Sequence, residues 1–196
     1  MHHRRLATLL LGAWIAGSLF MAAVATGNFR AIDEVLESAS PPIPEALDTL
    51  GTEKLRISLR LLAAEQNRRH FAHWEWAQLG LGFVLALTLL FGTHSGRLML
   101  GAAGLLVVLV VIQHWLLSPE LAASAKVLEL SYPNEISADK ARFEIYHRVY
   151  SGLELVKIGI AAGLAARLLL YRSRRRRDFR QKVDSVHHAD HSGVNR

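Results

Sequence analysis

The sequence predicts an all-α integral membrane protein, a four-helix antiparallel bundle with helical extracytoplasmic extensions. Three observations lead there. Hydrophobic residues make up 51% of the 196 residues and mean hydropathy is +0.20, high for a water-soluble chain. Leu6–Thr26 and Leu98–Leu117 run 21 and 20 residues without a charge. At about 1.5 Å per residue, either can cross roughly 30 Å of hydrocarbon. Thirdly, basic residues are concentrated on alternate connections between the apolar stretches. The chain has no cysteine, which excludes a disulfide framework, a zinc finger, an iron–sulfur cluster and a thiol nucleophile.

Four spans are expected, at about residues 6–26, 71–92, 98–117 and 149–171. The second has its apolar stretch at Ala77–Gly92 and is lengthened by Phe71, Trp74 and Trp76, which suit an interfacial aromatic belt. The fourth carries Glu154, Lys157 and Arg167. Backbone groups in lipid must bond internally, so the spans are helices. Burial inside a large soluble core is disfavoured, because a chain of this length cannot surround four such helices with protein. The first span also fits a signal peptide, with Arg4 and Arg5 before it and Ala23-Val24-Ala25 as a small-residue cleavage site. Its apolar stretch is longer than a signal core of about 7–15 residues, which favours a retained helix.

Between spans, Phe29, Ile32, Val35 and Leu36 recur at helical spacing and extend the first span as an amphipathic helix. Ser40-Pro41-Pro42-Ile43-Pro44 ends it. Glu53–Phe71, with Leu55, Leu59 and Leu62 on one face, is a second amphipathic helix running into the second span. Leu117-Ser118-Pro119-Glu120 marks the exit of the third span, and Ser131–Ser137 breaks the segment that follows. Ser137 is a cap for a helix leading through Phe143 and His147 into the fourth span.

Charge orients these spans. The N-terminus, the 93–97 turn and the tail after Tyr171 together hold 11 Lys/Arg against 3 Asp/Glu. Arg30–His70 holds 6 against 7, and Ser118–Arg148 holds 4 against 5. The positive-inside rule then places both termini in the cytoplasm, with a bacterial-type inner membrane as the expected location. Residues 172–196 form a basic tail, expected to be disordered. Arg172, Arg174, Arg175, Arg176 and Arg177 follow a membrane span directly. They read as a topology anchor with anionic-lipid contact. Without interleaved aromatics or a nucleic-acid-binding fold, no nucleic acid is expected. His187, His188 and His191 in the same tail read as solvated.

No glycine-rich phosphate loop, G-x-S-x-G or H-E-x-x-H motif is present, so no catalytic residue is assigned and no enzyme activity is expected. Chemistry is confined to polar residues near the outer ends of the spans: His70, His73, Glu75 and Gln78; Gln113 and His114; His147, Tyr150, Glu154 and Lys157. Helical spacing gathers Glu75, Gln78, Gly82 and Ala86 on one side of the second span. On the fourth span it gathers His147, Tyr150, Glu154, Ala161 and Ala165, with Lys157 at the edge. Small residues in both stripes suit close helix packing.

Three readings compete for this set. The first is a packing belt with a neutralised Glu154–Lys157 pair. The second is a metal or haem site built from His73, His114 and His147, with Glu75 or Glu154 as a further candidate ligand, since imidazole suits copper, zinc and haem iron. The third is a proton or solute pathway through Glu75, Glu154 and Lys157. Gly12/Ala16 and Ala13/Gly17 are small-x-x-x-small pairs that could pack within the chain or in a homo-oligomer. The leading functional expectation is an accessory or scaffold membrane component with no bound cofactor, with copper or haem handling, or proton or solute passage, as the alternative.

Four pieces together carry a resemblance: AWIAGSLFMAAVATGNFRAI, FAHWEWAQLGLGF, IQHWLLSPEL and FEIYHRVYSGLELVKIGI. In order and spacing they resemble the four-span membrane family known as domain of unknown function 4149, the best single feature being Phe143-x-x-x-His147-x-x-Tyr150. That resemblance implies four membrane helices and no assigned reaction. In layout the chain is more distantly similar to copper-resistance D-like membrane proteins, which also place histidines near span ends. The Pro41-Pro42-Ile43-Pro44 break departs from both groups.

Overall fold

A computed structural model describes residues 2–38, 51–92, 96–130 and 138–192. Every described residue except Ser38, Gly51 and Gly96 is helical, and there is no strand among them. The helices are α1 (His2–Glu37), α2 (Thr52–Gly92), α3 (Arg97–Ile112), α4 (Ser118–Leu130) and α5 (Ala138–Ser192), with a π-helical turn, Gln113–Leu117, joining α3 to α4. The proline break at 40–44, the Ser131–Ser137 break with its Ser137 cap, and the side chains of Arg172–Arg177, His187, His188 and His191 lie outside what is described.

Three helices are long and apolar enough to cross a membrane by length and composition: His3–Glu37, Thr52–Phe91 and Arg97–Ala125. Their outward faces are apolar, with Leu9, Phe20, Phe83, Phe91, Leu98 and Leu116 more than half exposed, as are Leu155 and Leu170 of α5. Apolar exposure on this scale suits contact with lipid.

Helices α1 and α2 are each continuous through the amphipathic stretch and the apolar stretch, because neither contains an internal proline. The third span departs from the sequence reading in one respect. Its helix does not end at Pro119 but passes through it. Proline lacks the N–H that would bond the carbonyl four residues back, and its ring crowds that carbonyl. The backbone adapts by widening one turn, so that Ser118 N–H donates to Gln113 O, five residues back. Helix α5 likewise continues beyond the expected fourth span to Ser192. The chain between Leu164 and Ser192 contains neither glycine nor proline to stop it.

Packing is layered along the helix axes. An apolar layer comprises Ala7, Leu11 and Trp14 of α1, Leu85 and Leu89 of α2, Met99, Ala103, Leu106 and Val110 of α3, and Ala161, Leu164 and Leu168 of α5. The three- and four-residue spacings give each helix one inward stripe. Next comes a polar layer at Ser18, Glu75, Gln78, Gln113 and Lys157. Beyond it α1 and α2 continue as a pair. Asn28 donates to Asn67 at 2.6 Å, and Asn67 to Ala25 O at 3.2 Å. Farther out Asp33 faces Arg56 and Arg60 at 3.9 and 3.7 Å. Residue numbers rise along α1 as they fall along α2, so the two run in opposite directions. On this outer stretch Arg68 and Arg69 bond the Glu65 carboxylate. They hold its pKa below the ordinary value, the Arg68 hydrogen bond contributing most. The small stabilisation this gives exists above the ordinary carboxylate range and fades as pH falls through the lowered value.

Two glycines are fixed by packing. A Cβ on Gly17 would run into the Trp74 indole, and one on Gly82 would meet Val107 and approach the Trp14 ring, whereas Gly12 has open space around it. Gly17→Ala should therefore destabilise by about 1–3 kcal/mol, the usual range for overpacking. Gly12→Ala should change stability by no more than about 0.5 kcal/mol or raise it slightly through helix propensity. Thermal unfolding of both variants in one detergent, followed by tryptophan fluorescence, checks the contrast; equal melting temperatures would contradict it.

Candidate functional site: a buried polar layer

The polar layer draws on α1, α2, the π-helical turn, α4 and α5. From α2, Glu75 and Gln78 lie one turn apart on the inward face and both are 0% exposed. The π-helical turn and the start of α4 supply His114 and Ser118. Helix α5 supplies Tyr150, Glu154 and Lys157, and α1 supplies Ser18.

Glu75 is the hub of the outer half. Its Oε2 lies 2.8 Å from His114 Nδ1, and its Oε1 accepts from Tyr150 OH at 2.8 Å and from the Ser118 hydroxyl. Two hydroxyl donors and one imidazole nitrogen, from two other parts of the chain, thus converge on one buried carboxylate. Lys157 is the hub of the inner half, and its side chain is also 0% exposed. Its ammonium donates to Glu154 Oε1 and Gln78 Oε1, both at 2.6 Å. Gln78 Nε2 donates to Ser18 Oγ at 3.2 Å and lies 3.5 Å from Glu154 Oε2, to which Ser18 donates at 3.3 Å. Each residue of this inner set touches at least two others, which satisfies the requirement that buried ions be paired and hydrogen-bonded.

Gln113 lies beside the two hubs. Its amide donates to Tyr150 O at 3.1 Å, while its Oε1 is buried with no hydrogen-bond partner. Trp14 and Trp74 each bury an indole N–H in the same condition. Around the outer hub the rings of Trp76 and Trp115 meet His114 edge-on, with centroids 4.9 and 4.5 Å away. Phe71 meets Tyr150 at 5.9 Å.

The structure brings together Glu75, Gln78, Glu154 and Lys157, and adds His114 to them. It does not gather the three histidines expected as metal ligands. His73 lies in an open apolar groove of about 350 Å³ lined by Gly17, Phe20, Met21, His70, Trp74 and Ala77. His114 is bonded to Glu75. His147 is exposed and stacks on Phe143 of its own helix, with ring centroids 5.8 Å apart. Among the described residues no group of three His, Asp or Glu side chains could hold a metal ion. The physical reason is angular: three histidines at one depth still face three directions, and only the one opposite Glu75 turns inward. Lys157, at the stripe's edge by spacing, is more deeply buried than Glu154, whose side chain keeps 16% exposure.

Ser18 and Ser118 are functional neighbours that sequence reasoning missed. Hydroxyls in helices ordinarily bond the carbonyl four residues back. Thr8, Thr26, Ser58, Thr88 and Ser124 do so here. Nothing in the sequence marks the two serines that instead reach across to another helix. The small residues Ala13 and Gly17 gave a partial signal for close packing, and Gly17 does serve within the chain, against Trp74.

Comparison with known proteins adds no assignment: no family model, no curated protein and no solved structure matches the chain.

Lys157→Met would leave Glu154 without its cation. A loss of about 3–5 kcal/mol is the usual effect of breaking a buried pair, and the 16% exposure of Glu154 places this one at the lower end. Glu154→Gln with Lys157→Met should lose much less than the two single losses added. Detergent unfolding of both singles and the double checks this; simple additivity would show that the two residues do not interact.

Proposed function

We propose that this chain is a four-span integral membrane protein, an antiparallel bundle in which α5 crosses as the fourth helix through about residues 149–171. We read it as an accessory or scaffold component of a bacterial-type inner membrane rather than as a catalyst. The observation that carries this reading is the layer just described. Charged, amide and hydroxyl side chains from α1, α2, the π-helical turn, α4 and α5 are bonded into it, while the outward faces of the helices are apolar. In lipid, ionisable side chains are tolerated when they face a bundle interior and pair there. The layer therefore fixes which faces of α1, α2, α3 and α5 meet, and at what height. Arg167, the remaining charge of the fourth span, sits near its basic end, where a long side chain can reach the headgroups.

Orientation rests on the charge asymmetry. Both termini are cytoplasmic in this reading, and Arg172, Arg174, Arg175, Arg176 and Arg177 contact anionic headgroups where the last helix leaves the membrane. The paired stretches of α1 and α2 beyond the polar layer then project on the opposite side.

Cysteine labelling tests the proposal directly, since the chain has no native cysteine. In intact cells an impermeant maleimide should label Ser58→Cys on α2 and Ser131→Cys between α4 and α5. It should leave Ser173→Cys unlabelled until the membrane is opened. Equal labelling of Ser131→Cys and Ser173→Cys in intact cells would show that α5 does not cross.

A further inference from the structure

We propose that His114 and Glu75 form a proton-binding site, loaded from the aromatic-lined outer end of the bundle. The inference deepens the membrane reading, because the low dielectric that it needs is the bilayer's. It begins with a charge count. The polar layer contains two carboxylates, Glu75 and Glu154, and one ammonium, Lys157. With His114 neutral, the set carries one uncompensated negative charge in surroundings where such a charge is expensive.

A single proton held at the Glu75–His114 contact makes up the difference. Lys157 is committed to Glu154 and Gln78, each at 2.6 Å. Glu75 is held by two hydroxyls and an imidazole. Of these three groups only the imidazole can bring a full positive charge by taking a proton. A proton added at His114 turns the 2.8 Å contact into an imidazolium–carboxylate pair and brings the layer to neutrality. No covalent bond other than those to the proton is made or broken. The proton comes from water or a buffer acid and returns there.

Access follows from where the ring sits. Glu75 keeps 1% of its side chain exposed, whereas His114 keeps 17%. Nδ1 faces the carboxylate, so the proton arrives on the other ring nitrogen, Nε2. Trp76 and Trp115 flank the ring and are themselves about half exposed, at 58% and 52%. The other titratable or charged groups facing the pair are Tyr150, Glu154 and Lys157 of α5. Among the described residues α1 presents only the Ser18 hydroxyl to the layer. His73 and His147 lie on exposed surfaces, and Glu120 pairs with Arg142 at 2.7 Å.

The test uses the full chain in lipid nanodiscs with 15N-labelled histidine, the His114 signal being identified by its loss in His114→Gln. Proton occupancy of each imidazole is followed by NMR as pH is lowered. In the wild type His114 should take up one proton per chain. Glu75→Gln should weaken its proton affinity about tenfold or more, and leave His73 and His147 unchanged. Glu120→Gln should leave all three unchanged. An identical His114 titration in wild type and Glu75→Gln would overturn the proposal. So would a His114 that stays neutral until helicity is lost, or one whose charge is replaced by bound sodium in a sodium titration. If Glu75→Gln fails to fold by circular dichroism, a through-bond Nδ1–H signal in the wild type that broadens or shifts with His114 protonation decides the matter, and its absence counts against the site. Cysteine labelling on the same preparations separates the two readings: correct topology with a silent His114 fails the proton site alone.

Discussion

Burying a carboxylate with its hydrogen bonds satisfied is the constraint on which the rest of this molecule depends. Glu75 sits with 0% exposure where a solitary charge would be intolerable. It can remain only if the π-helical turn, α4 and α5 all bring their polar groups to the height of Glu75 on α2. That requirement sets the rotation of α2, which in turn aims Gln78 at Lys157 one turn farther in. It also sets the height of α5, since Tyr150 must reach the same oxygen that Ser118 reaches. Apolar packing alone would tolerate sliding of one helix past another by a small displacement at little loss. Hydrogen bonds between 2.6 and 2.8 Å at the two hubs do not.

Much of the architecture was legible in the sequence, and the reasons are specific. Ala7/Leu11/Trp14 and Met99/Ala103/Leu106/Val110 repeat at helical spacing, and such stripes are read without knowing what they face. The continuity of α2 through Phe71 followed from the absence of any breaker. Glu75, Gln78, Glu154 and Lys157 stood out because ionisable and amide groups are rare in apolar spans. Partner choice was not legible. Depth along a helix is linear in residue number, but azimuth relative to a neighbour depends on how two helices are rotated against each other. His73 and His147 matched His114 in depth and differed from it in azimuth. Ser18 and Ser118 carried no signal, because a helical hydroxyl is usually satisfied by its own backbone.

Pro119 illustrates a second limit of one-dimensional reading. In a sequence, proline after an apolar run marks a stop. In three dimensions a helix that is held on both sides by partners can keep going if the backbone finds another bonding pattern. Helix α3 and α4 are so held: Gln113 bonds to Tyr150 O on one side of the proline, and Glu120 bonds to Arg142 on the other. The widened turn is the local compromise. It also supplies the two residues, Gln113 and His114, that address α5 and α2 respectively.

The π-helical turn carries a further implication for how such a chain is made. Pro119 favours the wider form locally, but Gln113 and His114 have their partners on α5 and α2, not on their own helix. The wide turn gains its compensating bonds only when α2 and α5 are alongside, and α5 follows it in the chain. The final seating of the polar layer therefore waits on the arrival of α5, which is made after residues 113–117.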